Sequence, residues 1–233
     1  DPVKIEVAPP STTVEKIDQR VLFVDRENKN ALLKSMLEDA TIERALIFAR
    51  TKHGANKIVK NLSKSKIKAD AIHGNKSQSA RIDALNKFKT GKVRVLVATD
   101  IASRGIDVDG ITHVINYELP NEPESYVHRI GRTARAGATG MALSLCDLGE
   151  LGYLKRIEQA TNKTVAVEAD HIYHSESIAS KRGRSFGSKP KSPQRKRNFG
   201  YRPASGKNSR PAARNGRPQR GNAQRGRRTA GNS

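Results

Sequence analysis

Tryptophan is absent from this 233-residue chain, and cysteine occurs only once, at Cys146. A single thiol excludes an internal disulfide and any cysteine-based zinc site, and it suits a reducing compartment. Cys146 lies in the apolar run Met141-Ala142-Leu143-Ser144-Leu145-Cys146 and reads as a buried small hydrophobe without chemistry of its own. Long apolar runs are missing too. No stretch approaches the roughly twenty apolar residues that a membrane span needs, and the N-terminus has no secretory h-region. The expectation is a soluble, cytoplasmic protein with no membrane partner.

Acidic residues are scarce at one end only. From Ser175 to Ser233 there are five lysines and twelve arginines against one acid, Glu176, so this tail carries a formal +16 of the chain's +21. The front of the chain is close to an ordinary globular composition, with enough Val, Ile, Leu and Ala for one core. The tail offers only Ile178, Phe186, Phe199 and Tyr201 as large apolar residues, too few to offset ordering entropy, which predicts disorder. The expected division is a linker over 1–13, containing Pro2, Pro9 and Pro10, a globular domain over 14–165, and a basic Arg/Gly-rich tail over 166–233.

Within the globular part, short apolar runs alternate with helical patterns. Val14 to Asp25 reads as extended, and Asn28 to Leu37 as a helix with Leu32, Leu33, Met36 and Leu37 on one stripe. Ala45 to Phe48 reads as a strand, and Thr51 or Lys52 opens a helix with Ala55, Ile58, Val59 and Leu62 facing inward. Ala69 to His73 is a strand, and Ser77 is placed to cap a helix running toward Gly91. Val93 to Ala98, Ile111 to Asn116 and Gly140 to Leu145 read as further strands, with a last helix over 148–160. Strands separated by helices imply parallel crossovers, and continuous apolar strands imply a sheet covered on both faces. The predicted fold class is α/β, a three-layer sandwich around a mainly parallel sheet.

Ligands of open parallel sheets gather at the carboxyl ends of the strands. Three loops there carry hydroxyls, amides, basic groups or glycine: Ala49 to Lys52, Gly74 to Gln78, and Thr99 to Asp107. Ser77 and Thr99 would add helix N-terminal donors, although either residue also caps helices without any ligand. Residues 128–137 read HRIGRTARAG, with Arg129, Arg132 and Arg135 at every third position. Three forked guanidiniums this close suit phosphate oxygens. The competing reading is a solvated basic helix face. Gly131 and Gly137 within the run, and the phosphate-like loop before it, weigh against that reading.

Together, ALIF (45–48), HGNKSQSAR (73–81), VLVATDIASRGIDV (95–108), VINYELP (114–120) and YVHRIGRTARAG (126–137) resemble, in order and spacing, the second RecA-like domain of DEAD-box RNA helicases. The tail is most similar to that of the bacterial RhlE type. The resemblance implies a RecA-like P-loop NTPase fold and an ATP-dependent RNA helicase. It implies that Arg132 and Arg135 are catalytic and reach the γ-phosphate of ATP, Arg135 as the arginine finger, and that Gly105 and Asp107 approach the nucleotide. Arg50, Thr51, Gly74, Gln78, Arg81 and Thr99 match positions that hold or border the RNA backbone, which implies sequence-independent RNA binding. His128, Arg129 and Arg104 are implied to act between domains. Asp100 could cap the following turn or order an arginine.

Two departures from the common family wording are Ala134, where many members have glycine, and Glu118, where aspartate is frequent. The Ala134 change is tolerable if the backbone there is ordinary helix. No G-x-x-x-x-G-K-[ST] loop, DEAD tetrad or adenine-reading glutamine motif occurs. The chain, which begins at Asp1, is therefore expected to be one half of an enzyme and not to hydrolyse ATP alone, with Mg2+ held by the N-terminal RecA-like partner domain. No metal site is expected here. His53, His73 and His113 lack partners at telling spacing and are read as non-catalytic. Further partners implied are ribosomal or RNA-degradation complexes. Two alternatives stay open, an ATP-independent RNA-binding or annealing module and a DNA helicase fragment of the same superfamily.

Overall fold

The computed structural model describes residues 17–103, 106, 108–134 and 140–182. The expected linker over 1–13, most of the tail, and the site candidates Arg104, Gly105, Asp107 and Arg135 lie outside them.

Strand β1 (Ile17–Phe23) leads through a 3-10 turn, Arg26–Asn28, into α1 (Lys29–Glu38). The strand β2 (Ala45–Phe48) is followed by α2 (Lys52–Lys64), β3 (Ala69–Ile72) by α3 (Gln78–Lys89), and β4 (Val95–Ala98) by the single-turn α4 (Asp100–Ser103). Next come β5 (His113–Asn116), α5 (Pro123–Ile130) and β6 (Gly140–Cys146). After a 3-10 turn, Leu148–Glu150, the chain continues as α6 (Leu151–Thr161), β7 (Ala166–Val167) and α7 (Glu176–Arg182).

The sheet runs β3-β4-β2-β5-β6-β1-β7, and every pairing is parallel. Side-chain alternation divides the core into two layers. Leu22, Ile47, Val97, Ile115 and Leu145 pack under α1 and α2, where Leu32, Leu33, Ile58 and Leu62 meet them. On the other face, Leu46, Phe48 and Leu96 meet Ala84 and Phe88 of α3. Beside them, Val21, Phe23 and Ala142 meet Tyr126 and Ile130 of α5 and Leu151, Leu154 and Ile157 of α6. A sheet buried on both faces explains why its strands read as unbroken apolar runs. The RecA-like three-layer sandwich is the observed fold.

The caps fall where the side-chain chemistry puts them. Thr51 Oγ1 accepts the Gly54 amide at 3.0 Å, and Ser77 Oγ accepts the Ala80 amide at 3.3 Å. Asp147 and Glu150 form a reciprocal capping box at the turn before α6.

Ordered structure continues past residue 165. β7 pairs with β1, His174 bridges Val24, and α7 plants Ile178, 1% exposed, against the β1 side of the core. Ile178 is brought back to the sheet by the strap over 168–175, and Tyr173 of that strap packs against the core as well. A second finding concerns Ala134. Its φ is +54°, so the backbone is left-handed there and not the ordinary helix that would make alanine equivalent to glycine.

Candidate functional site

Because all strands are parallel, every loop singled out by the sequence leaves the sheet at the same edge. In spatial order this edge presents Gly74 after β3, Thr99 and Asp100 after β4, Arg50 and Thr51 after β2, Glu118 after β5, Asp147 and Glu150 after β6, and Arg26 to Lys29 after β1. The edge has a buried belt and an exposed rim.

Arg129 anchors one half of the belt. It lies in α5 and is 1% exposed. Its Nε and Nη2 donate to Asp100 Oδ1 and Oδ2 at 2.6 and 2.8 Å, and its Nη1 donates to Asn116 Oδ1 at 3.1 Å and the Glu118 carbonyl at 2.7 Å. The guanidinium also stacks over the Phe48 ring, 5.0 Å from its centroid. Within the domain these donors are turned inward and bind the loops after β4 and β5 to α5. Asp100 therefore orders an arginine, the second of its two readings.

Glu150 anchors the other half. Its carboxylate accepts from Lys29 Nζ, from the Leu119 amide at 3.1 Å, from Arg50 Nη2 at 3.3 Å and from the Asp147 amide at 3.3 Å. Lys29, 2% exposed, also reaches the Leu145 and Tyr117 carbonyls at 3.1 and 3.2 Å and pairs with Asp147 at 3.2 Å. Burial pushes the Glu150 carboxyl above its usual range while Lys29 pulls it back, and burial raises the Tyr117 hydroxyl to about 12. Arg50 is held as well, with Glu118 accepting from its amide at 2.9 Å and its guanidinium at 3.3 Å and the Tyr153 ring beneath it. The sequence reading missed Asn116, Lys29 and Glu150. The D-L-G-E capping-box spacing at 147–150 marked Glu150, whereas nothing local marked Lys29 as buried.

The rim is different. Gly74 is open, with no atom within 4 Å of where a Cβ would stand, and Thr51 and Gln78 are exposed. Arg81 Nη1 donates to Gln78 Oε1 at 3.2 Å, so the two form one polar unit on the first turn of α3. Lys52 donates to Asn75 at 3.1 Å and ties the loops after β2 and β3 together. Thr99 is largely buried, and its carbonyl accepts the Ala102 and Ser103 amides at the start of α4. His128 is exposed on α5.

Helix α5 ends at Ile130, and Gly131 is its C-cap, so Arg132 sits in a turn and not on the same helical face as Arg129. Arg132 Nη1 donates to the Ile106 carbonyl at 3.0 Å, which sets it against the loop that carries Gly105 and Asp107 in sequence. Thr133, buried, donates to the Ile111 carbonyl at 2.6 Å and pins the turn to the start of β5. Gly140 is required by this packing, since a Cβ there would stand 2.7 Å from the Ala134 amide nitrogen.

His73 is buried, bonded to Asn56 Oδ1 at 2.9 Å, and depressed in pKa by burial and then by Lys76 and Lys52. His113 bonds Thr112 at 2.9 Å and is likewise depressed by burial. Cys146 is buried, and burial raises its thiol. Among the described residues no three His, Cys, Asp or Glu side chains are placed to share a metal ion, and no helix is long and apolar enough to cross a membrane.

The family described as helicase conserved C-terminal domain matches residues 28–137. The DEAD-box ATP-dependent RNA helicase CshA of Geobacillus kaustophilus is 42% identical over 163 residues, 70% of this chain and 35% of the relative. CshA of Bacillus subtilis is 43% identical over the same share of this chain and 33% of its own length. The chain thus spans about a third of the length of these relatives. Among solved structures, the E. coli DEAD-box protein SrmB, bound to regulator of ribonuclease activity A, superimposes with a TM-score of 0.66 at 32% identity, over 69% of this chain and 95% of that one. A DEAD-box protein of Methanococcus jannaschii gives 0.62 at 40% identity, over 66% of this chain and 42% of that one. These names carry the DEAD-box family and stop short of the RhlE subfamily suggested by the tail. With its motif loops on one edge of an all-parallel RecA-like sheet, the chain belongs to the DEAD-box RNA helicases, as their C-terminal helicase domain.

Proposed function

We propose that this domain is the arginine-supplying half of an ATP-dependent RNA helicase and works only when a preceding RecA-like domain closes on its carboxyl edge. The observation that carries the reading is the contrast between Arg129 and Arg132. Arg129 is enclosed by four hydrogen bonds inside the domain, whereas Arg132 stands in the turn beyond the helix C-cap, with Nη1 on the Ile106 carbonyl beside the loop that carries Gly105 and Asp107 in sequence. Arg132, together with Arg135, would hold the terminal phosphate of ATP and offset charge as the phosphoryl group transfers, a role that needs a guanidinium positioned in advance. Asp107 and Gly105 would border the ribose and the phosphates. The described carboxylates at this edge, Asp100, Glu118, Asp147 and Glu150, are engaged by arginine or lysine, which fits Mg2+ being held by the other domain.

RNA is proposed to run along the β3–β4–β2 part of the rim, over Gly74, Gln78, Arg81, Thr51 and Thr99. These groups meet backbone and carry no base code. Arg50 would contribute through its charge at a distance, because Glu118 and Glu150 already hold its guanidinium. His128 and Arg104 remain the proposed contacts to the partner domain. The basic tail is proposed to add salt-dependent RNA affinity. A cytoplasmic location and association with RNA-degradation or ribosomal complexes belong to the same reading, and SrmB with its ribonuclease regulator supports the former association.

The test is RNA-stimulated ATPase activity of the complete two-domain enzyme. Arg132→Ala and Arg135→Ala should each lower kcat by roughly 10³-fold with little change in RNA affinity. Unchanged turnover in both would end the proposal.

A further inference from the structure

The chain contains two methionines, Met36 and Met141, and both line one cavity of about 390 Å³ far from the motif loops. It opens on the α1 face of the sheet, over the first halves of β5 and β6, between the last turns of α1 and the strap at 168–171. Because α1 runs back against the strands, its C-terminal end lies at their amino edge, opposite the proposed ATP and RNA edge. A second cavity of about 390 Å³ shares His113 and Met141 with the first and extends past Asp18 and Gly140. Together they form an elongated groove.

Its floor is apolar, with Leu22, Leu32, Ile42 and Leu143 beside the two methionines. Its rim is acidic in a chain of net charge +21: Asp39, Glu168 and Asp170 border the first cavity and Asp18 the second. Hydrogen bonds from Thr41 hold the Asp39 carboxyl below its usual range, and Arg20 does the same for Glu168, so both stay ionised at neutral pH. Arg20 is the cation of this rim and is already paired with Asp18 and Glu168 at 2.9 and 2.6 Å. The neighbouring Ile172 is 85% exposed. Methionines suit a surface that must adapt to a ligand's shape, and an apolar floor with a polar rim is the usual anatomy of an interface.

We infer that this groove is a docking site for a basic segment of a partner protein, an extended stretch that seats one or two aliphatic or aromatic side chains over Met36 and Met141 and sets flanking Lys or Arg against Asp39, Glu168 and Asp170. Its position leaves the carboxyl edge clear, so a partner can stay bound while the helicase cycles. The inference does not depend on the ATP or RNA roles proposed above.

The two methionines make the test site-specific. The full chain is labelled with ¹³C at the methionine methyls, giving two resonances, and titrated with the peptide acetyl-Lys-Leu-Arg-Phe-Lys-Leu-Arg-amide. A control peptide carries Glu at every Lys and Arg. The expected result is that both methyl resonances shift saturably with the basic peptide only, and that Asp39→Asn combined with Asp170→Asn weakens the dissociation constant at least fivefold while leaving the free-state spectrum in place. The inference is overturned if the basic peptide leaves both methyls unmoved, whether or not it binds elsewhere. It is also overturned if the acidic peptide shifts them equally, or if the double variant binds as tightly as the parent.

Discussion

The belt and the rim of the carboxyl edge use the same residue types for opposite ends. In the belt, Arg129 and Lys29 are 1% and 2% exposed and each is closed around a carboxylate. On the rim, Arg132 is three residues from Arg129 in sequence yet is held by a backbone carbonyl in a turn beyond the helix. Arg129, enclosed by its own domain, builds the edge, and Arg132, half-buried in the turn beyond, is the cation we propose to meet a phosphate. The R-x-x-R spacing therefore spans a change of backbone setting at the helix C-cap, Gly131.

Deep burial makes the belt the most sensitive place to break this division. Glu150→Gln removes the charge facing Lys29 while both side chains are only 2% exposed, and it should cost about 3–5 kcal/mol in urea unfolding. Adding Lys29→Met should return more than half of that loss, because the stranded charge is then gone. Arg129→Ala should cost about 3 kcal/mol, the low end of the range, since its partner Asp100 is 38% exposed and can be hydrated. A loss under 1 kcal/mol for either single change would put these residues on the functional side of the comparison.

Smaller effects sharpen the same contrast. Ala134→Gly relieves a left-handed φ in the turn that carries Arg132 and should stabilise the domain by about 1 kcal/mol. Acid should weaken the fold, because burial depresses His73, His113 and His171 below their ordinary values. The native state then binds fewer protons than the unfolded chain, so stability is full above about pH 6.5 and declines as pH falls below it. The unfolding midpoint measured between pH 7 and 5 should drop, and His73→Gln should flatten that slope slightly.

How much could be read from the sequence follows from where the controlling forces act. Ala45–Phe48 and the caps Thr51 and Ser77 were legible because buried parallel strands and N-caps leave local signatures. β7 and α7 were not, because two exposed strand residues and one buried isoleucine, Ile178, leave no periodic pattern. The motif residues were placed by resemblance, and the structure sets them along one edge through β-sheet pairing between distant segments. Burial of Lys29 and the inward turn of Arg129 depend on Glu150 and Asp100, 121 and 29 residues away, which no local window contains. The left-handed backbone at Ala134 was masked by an alanine where glycine would have announced it.

The central claim is that Arg129 builds the edge and Arg132 acts from it. Arg132→Ala tests it most directly when unfolding of the domain and RNA-stimulated ATPase of the two-domain enzyme are measured on the same substitution. The account predicts an unfolding loss of about 1 kcal/mol, well below that of Arg129→Ala, and kcat lowered by roughly 10³-fold. A destabilisation matching that of Arg129→Ala, or turnover equal to the parent, would contradict it.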